Sequence, residues 1–340
     1  SLVGSEMCIR DRAICCVSCN NEWEDEQYLH MASFKANVNA QGVTTTYVRY
    51  KPGGVVQYKL PIIISGSTVS DRPLNIQIAL DPDTLAVLNQ NVYGHRQELY
   101  FQQLPSQYYN MSETVEIPAG ETTGVLPIDF KLTEDLDQAD KWVLPLQIVD
   151  DPSLGYKANP RKYFRRAMLR LLPFNDYSGT YDAAQYLIHF KTDVDNKEPF
   201  TVSEQRAFVV DDRTVFIYAG TRDIDYLDRK LYKIFIRFPE EGNDTKQLEV
   251  WAENDELNFG PLTDADGKPL AFQSNFSMYS EMDELKPYLK KIFITMNLYY
   301  EFDDYTTVPG KRIRYKVQGS LSMQRNLNTL IPDEDQQVQW

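Results

Sequence analysis

The stretch Val115–Val149, VEIPAGETTGVLPIDFKLTEDLDQADKWVLPLQIV, decides the fold. Leu126, Ile128, Phe130 and Leu132 recur at a period of two, with Val125, Pro127, Asp129 and Lys131 between them. Trp142, Leu144, Leu146 and Ile148 repeat that rhythm after a polar connection from Asp135 to Asp140. Each run reads as an antiparallel strand with one face in a core and one in water. Two such strands cannot bury their apolar faces alone, so a second sheet built by the flanking residues is required.

Working outward, 43–50 is rich in β-formers, 55–65 follows the turn Pro52-Gly53-Gly54, and Leu74, Ile76, Ile78 and Leu80 alternate cleanly. Short strands at this spacing predict a β-sandwich. Asp81-Pro82-Asp83-Thr84 looks like a turn or helix cap, with no more than one or two helical turns after it. The segment 173–179, PFNDYSG, concentrates turn formers where two alternating patterns meet, and is the expected boundary. Beyond it lie further strands, ending in two long ones. One carries Ile292, Ile294, Met296, Leu298 and Tyr300, the other Ile313, Tyr315, Val317, Gly319, Leu321 and Met323. Met282–Tyr288 is expected as a short helix between strands. Long strands in up-and-down order favour closure into a barrel, which removes exposed edges.

The expected division is therefore 1–27 leader and tether, 28–173 sandwich, 174–329 barrel and 330–340 polar tail. At 340 residues, 42% apolar and 25% charged, the chain is long enough for two cores. No helical periodicity supports a Rossmann, hydrolase or TIM-type enzyme.

A net charge of -14 argues against a general nucleic-acid binder, which needs Lys and Arg to neutralise phosphates. The four cysteines, Cys8, Cys15, Cys16 and Cys19, all precede residue 20, so neither core holds a disulfide. Cys16-Val-Ser-Cys19 formally spells a redox or zinc half-site, but has no second pair and no strand before it. The other reading of Ile14–Asn21 is the end of a lipoprotein signal, with Cys19 as the lipidated residue and an acidic tether after it. Residues 1–12 are charged where such a signal is apolar, and read as a foreign leader.

Candidate chemistry is sparse. His30, His95 and His189 have no metal-ligand spacing. Asp223, Asp225 and Asp228, and the pair Asp264 and Asp266 before Gly267, suit tight turns; a loop calcium at Asp264 and Asp266 is the weaker alternative. Two basic runs, one of Arg161, Lys162, Arg165, Arg166 and Arg170 and one of Arg312, Arg314 and Lys316, read as charge balance on exposed faces. Aromatics are the most suggestive feature, at 22 Tyr, 16 Phe and 4 Trp. Tyr299, Tyr300, Phe302 and Tyr305 run off a strand end into the Asp303-Asp304 loop, and Tyr108-Tyr109 form a second cluster. Exposed rings beside carboxylates suit sugars, although Tyr is also simply a good strand former. No cofactor is expected.

Several segments resemble a known family. They are Cys19-Asn-Asn-Glu-Trp23, Tyr58-Lys-Leu-Pro-Ile62 with Asp71-Arg72, Ala79-Leu-Asp-Pro-Asp83, Val115-Glu-Ile-Pro-Ala-Gly-Glu121 and Lys141-Trp-Val-Leu-Pro-Leu146. Together they are similar to Bacteroidetes cell-surface lipoproteins with an immunoglobulin-like N-terminal domain of unknown function, encoded near outer-membrane glycan-utilisation systems. The second half resembles the lipocalin-like or calycin-like domain of some members. The resemblance implies an all-β protein: an immunoglobulin-like sandwich, then an antiparallel lipocalin-like barrel, lipid-anchored at the outer-membrane surface. It also implies a non-catalytic role, binding a glycan or oligosaccharide or assisting a transporter complex. The rival readings are a lipocalin-like carrier of a small apolar ligand, needing a hollow interior, and a divergent glycoside hydrolase, needing paired carboxylates in a cleft.

Overall fold

The computed structural model describes residues 30–332 apart from 52, 134, 151, 193–197 and 241–245; Cys19 and the leader lie outside them. The fold is all-β and multi-sheet. The first half contributes β1 (Met31–Phe34), β2 (Thr44–Arg49), β3 (Val55–Ser65), β4 (Leu74–Leu80), β5 (Gln102–Gln103), β6 (Tyr109–Met111), β7 (Thr114–Ile117), β8 (Thr123–Lys131), β9 (Trp142–Ile148), β10 (Lys157–Ala158) and β11 (Arg166–Phe174). One sheet runs β10-β1-β3-β8-β6 and the facing sheet β2-β11-β9-β4-β7, with β5 beside β9. The period-two residues Leu126, Ile128 and Phe130 meet Leu144, Leu146 and Ile148 in one core between the sheets. As the alternation requires, Val125 on the opposite face of β8 is exposed.

The outer face of β9 departs from the expectation of a strand half in water, because Val143 is fully buried. A helix covers it. α1 (Pro82–Tyr93) is longer than the one or two turns expected, for local reasons. The Asp81 side chain accepts from the Thr84 amide, and Pro82 opens the helix without losing a needed donor. Leu85, Leu88 and Tyr93 then pack with Val143 and Met168 against the sheet's back. Tertiary burial extends a helix whose own pattern is weak.

The second half is an eight-stranded antiparallel sheet: β12 (Gly179–Phe190), β13 (Glu204–Val209), β14 (Thr214–Tyr218), β15 (Lys233–Arg237), β16 (Glu249–Trp251), β17 (Asn275–Met282), β18 (Leu289–Asp304) and β19 (Ile313–Asn328). Its order, β16-β15-β14-β13-β12-β19-β18-β17, is an up-and-down path in which β19 returns to β12. The sheet curls until its edges meet: Leu248 donates to the Ser274 carbonyl and Phe276 to that of Lys246, both at 2.9 Å. Tyr181, Tyr186, Ile188, Ile217, Ile236, Met296, Leu298, Tyr300 and Val317 fill the inside.

The curl depends on Gly319. Its φ of +137° sits at the bulge between β12 and β19, and a Cβ there would lie 1.8 Å from the Gln185 carbonyl oxygen. Residues 283–288 form a turn rather than the expected short helix. The Asp283 side chain accepts from the Leu285 and Lys286 amides, and so holds a tight connection between β17 and β18.

Candidate functional site

At one mouth of the curled sheet, the ends of β12, β18 and β19 and the connection after β14 enclose a cavity of about 180 Å³. One wall is aromatic. Phe302 stacks on Tyr315 (5.4 Å between centroids, 22°) and Tyr315 on Phe190 (5.2 Å, 26°), while Phe200 meets Phe190 edge-on. The stack follows from register, since Tyr315 pairs with both Phe302 and Phe190. Phe190 and Phe200 are substantially exposed, so the wall reaches solvent.

The opposite wall is Arg222, only 5% exposed. Its guanidinium lies 3.5 Å from the Tyr232 ring centroid. Nε and Nη2 donate to Asp228, and Nη2 also to Asp304, Thr306 and Thr307. Every bond leaves from Nε or Nη2, and Nη1 makes none among the described residues. Asp304 is saturated. It accepts from Arg222 (3.1 Å), the Tyr232 hydroxyl (3.0 Å), the Thr306 and Thr307 amides (3.2 and 3.1 Å) and the Thr307 hydroxyl (2.7 Å). Burial alone would raise its pKa, but the two Thr307 bonds and the Arg222 charge outweigh it, and the carboxyl is held below its ordinary value.

Gly220 makes this closeness feasible. It adopts φ +64°, and a Cβ would meet the Phe302 ring at 2.8 Å. Three residues before Asp304, Glu301 is caged likewise by Lys191 (2.6 Å), Thr263 and Arg314. Its pKa too is depressed: burial pulls it up, and the Lys191 and Thr263 bonds pull it further down.

The structure separates the residues singled out from sequence. Phe302 lines the mouth, and Tyr305 stacks just outside it on Tyr232 at 5.7 Å. Tyr300 is 1% exposed and its hydroxyl bonds that of Tyr186 inside the sheet. Tyr299, facing the other way, stacks on exposed Phe272 at 5.3 Å. Tyr108 is buried and donates to Asp135 at 2.6 Å, while Tyr109 packs on the sandwich core. Asp264 accepts from the Asp266 and Lys268 amides, holding its own turn. Among the described residues no group of three His, Cys, Asp or Glu is placed to hold a metal. Arg222 and Gly220 went unmarked in the sequence. Their only signal was Ala-Gly-Thr-Arg directly after a strand, which reads as an ordinary turn.

The two halves meet along a second polar region, centred on the connection between β8 and β9. Arg229 donates to the carbonyls of Ala139 and Glu98, Lys233 to Asp137 at 2.6 Å, and Lys141 to Asp225 at 2.8 Å. Lys141 is 2% exposed and takes the left-handed φ of +54° to place its amine over the Tyr93 ring. Burial, above all, lowers its pKa, against the opposing Asp225 bond.

Comparison with known proteins accords with this architecture. The family model "Domain of unknown function (DUF4973)" matches residues 23–152, and a C-terminal domain model matches 165–322. No curated protein matches. A Bacteroides ovatus structure of unknown function is 38% identical, covering 91% of this chain and 100% of its own, with a TM-score of 0.78. A Bacteroides ovatus multidomain protein including DUF1735 is 38% identical over 92% of this chain and 100% of its own, at 0.77. An auxiliary nutrient binding protein of Bacteroides thetaiotaomicron is 36% identical, covering 90% and 100%, also at 0.77. At this identity over nearly its whole length, the chain belongs to the same family of all-β Bacteroides proteins as these three.

Proposed function

We propose that this protein is a non-catalytic saccharide-binding accessory of a glycan-uptake system, and that the mouth around Arg222 holds one sugar ring. The observation that carries the reading is the Phe302–Tyr315–Phe190 stack facing a guanidinium fixed on four partners. A pyranose presents an apolar face to rings and hydroxyls to a fixed donor, and about 180 Å³ suits a single ring. The relative described as an auxiliary nutrient binding protein supports it. In this reading residues 28–173 are an immunoglobulin-like domain and 174–329 a lipocalin-like barrel, with Cys19 lipidated and the molecule held at the outer-membrane surface beside a transporter. The separate cores and the meeting of β16 with β17 support that division. Phe302 and Tyr305 are the expected residues that serve this mouth; Tyr299 with Phe272 would make an outer platform.

The rivals fit less well. A carrier needs a hollow interior, and here Tyr181, Tyr186, Tyr300 and Met296 occupy it. A glycosidase needs a carboxyl raised toward neutrality, whereas the carboxyls whose values move (Asp135, Asp283, Glu301 and Asp304) all move down. Titration calorimetry of the protein against plant and host oligosaccharides tests the proposal. We expect binding that Tyr315→Ala weakens by about tenfold, the worth of one ring contact. No heat with any glycan, or affinity unchanged in Tyr315→Ala, overturns it.

A further inference from the structure

The seam between the halves holds a buried cation that no described residue bonds. Arg170 lies on β11, opposite Val143 and Thr45, on the face turned away from the sandwich core. Its side chain runs beneath the Phe101 ring at 5.7 Å and is 8% exposed. It makes no hydrogen bond or ion pair with any described residue, and its Nε is enclosed without a partner. A guanidinium in that state is costly, because burial strips its hydration and nothing replaces it. Its neighbours add to the cost. Arg206 repels it, and Lys141 and Arg229, each 2% exposed, belong to the same seam. Arg229 is satisfied by carbonyl dipoles, which carry no net charge. Asp225 acts on Arg170 without bonding it, and already serves Lys141. Arg170 is thus a buried cation with no described carboxylate bonded to it, in a chain whose overall charge is -14.

We propose that this seam is an oxyanion site, taking the carboxylate or sulfate of a small ligand between Arg170 and Arg206. Arg206 lines a cleft of about 490 Å³, open to solvent and roomy enough for a sugar acid, together with Arg222 and the carboxylates Glu204, Asp223 and Asp225. Arg206 belongs to that cleft and also to the interface beside Tyr47 and Leu172, so it joins solvent to the buried guanidinium. A planar guanidinium pair is the fork that carboxylate and sulfate oxygens fit. The cleft shares Thr221 and Arg222 with the mouth, but neither Arg170 nor Arg206 lines the mouth.

The test is thermal unfolding and calorimetry of the whole protein with sodium sulfate, sodium glucuronate and neutral glucose, chloride holding ionic strength constant. Sulfate, glucuronate or both should raise Tm saturably and release heat, whereas glucose should not act through this site. Arg170→Met should abolish the anion-induced shift while leaving the ligand-free Tm equal or higher, since it removes an unpaired buried charge. Arg206→Gln should weaken anion binding at least tenfold. The proposal is overturned if neither anion gives a saturable shift. It is overturned equally if Arg170→Met lowers Tm and keeps the shift, the mark of a purely structural arginine. Should Arg170→Met not fold, unchanged anion affinity in Arg206→Gln is decisive against it.

Discussion

The barrel mouth and the seam both bury arginine, and they treat it in opposite ways. At the mouth, Arg222 meets two carboxylates and two threonine hydroxyls, and Asp304 answers with a full set of donors. Every charge there is paired before any ligand arrives, so the network is a rigid wall. In the seam, Arg229 leans on carbonyls, Lys141 on one half-exposed carboxylate and a ring, and Arg170 on a ring alone. Paired charge stabilises the fold and orients a neutral partner; an unpaired buried charge costs stability and awaits an anion.

The sharpest way to break that contrast is to remove each arginine. Arg222→Met strips the counter-charge from two carboxylates and should cost about 3–5 kcal/mol in urea unfolding, the range for breaking a buried pair. Arg170→Met should cost nothing by the same measurement. Equal losses would erase the distinction. Next in size is Gly220→Ala, which forces both a positive φ and a 2.8 Å contact with Phe302. It should cost about 1–3 kcal/mol and loosen saccharide binding with it.

Acid should weaken the mouth. Asp304 and Glu301 have folded pKa values below their ordinary ones. Their contribution is therefore whole above the ordinary carboxyl range and disappears as pH falls through that range to the folded values. Tm measured from neutral pH downward should fall in this window. In Asp304→Asn, which starts lower, the decline should be shallower. Parallel curves would mean that Asp304 is not the group being titrated.

What the sequence revealed and what it hid divide along the same line. Period-two patterning marked both cores, because Leu126, Ile128 and Phe130 or Ile294, Met296 and Leu298 are buried by strand geometry alone. The same rule put Tyr299 and Tyr300 on opposite faces. It could not show that Asp135–Asp140 is a docking loop, since its partners Arg229 and Lys233 lie some ninety residues away. Polar, turn-forming residues look alike whether they face water or another domain. For the same reason Arg170, read as part of a solvated basic run, turns out to be buried: what covers it, α1's connection and the barrel, is set by tertiary docking.

The smallest effect is the one that sharpens the picture of the seam. If Asp225 serves Lys141 and Arg170 together, its worth depends on how many cations are present. Its carboxylate is more than half exposed, so Asp225→Asn should cost only about 1 kcal/mol in the parent protein. With Arg170→Met already in place, one cation fewer relies on it, and the same change should cost less by about 0.5 kcal/mol, a coupling that a double-mutant cycle resolves. Were the two costs identical, Asp225 would be the private partner of Lys141. Arg170 would then stand alone, and Asp225 would not compete with a bound anion for it.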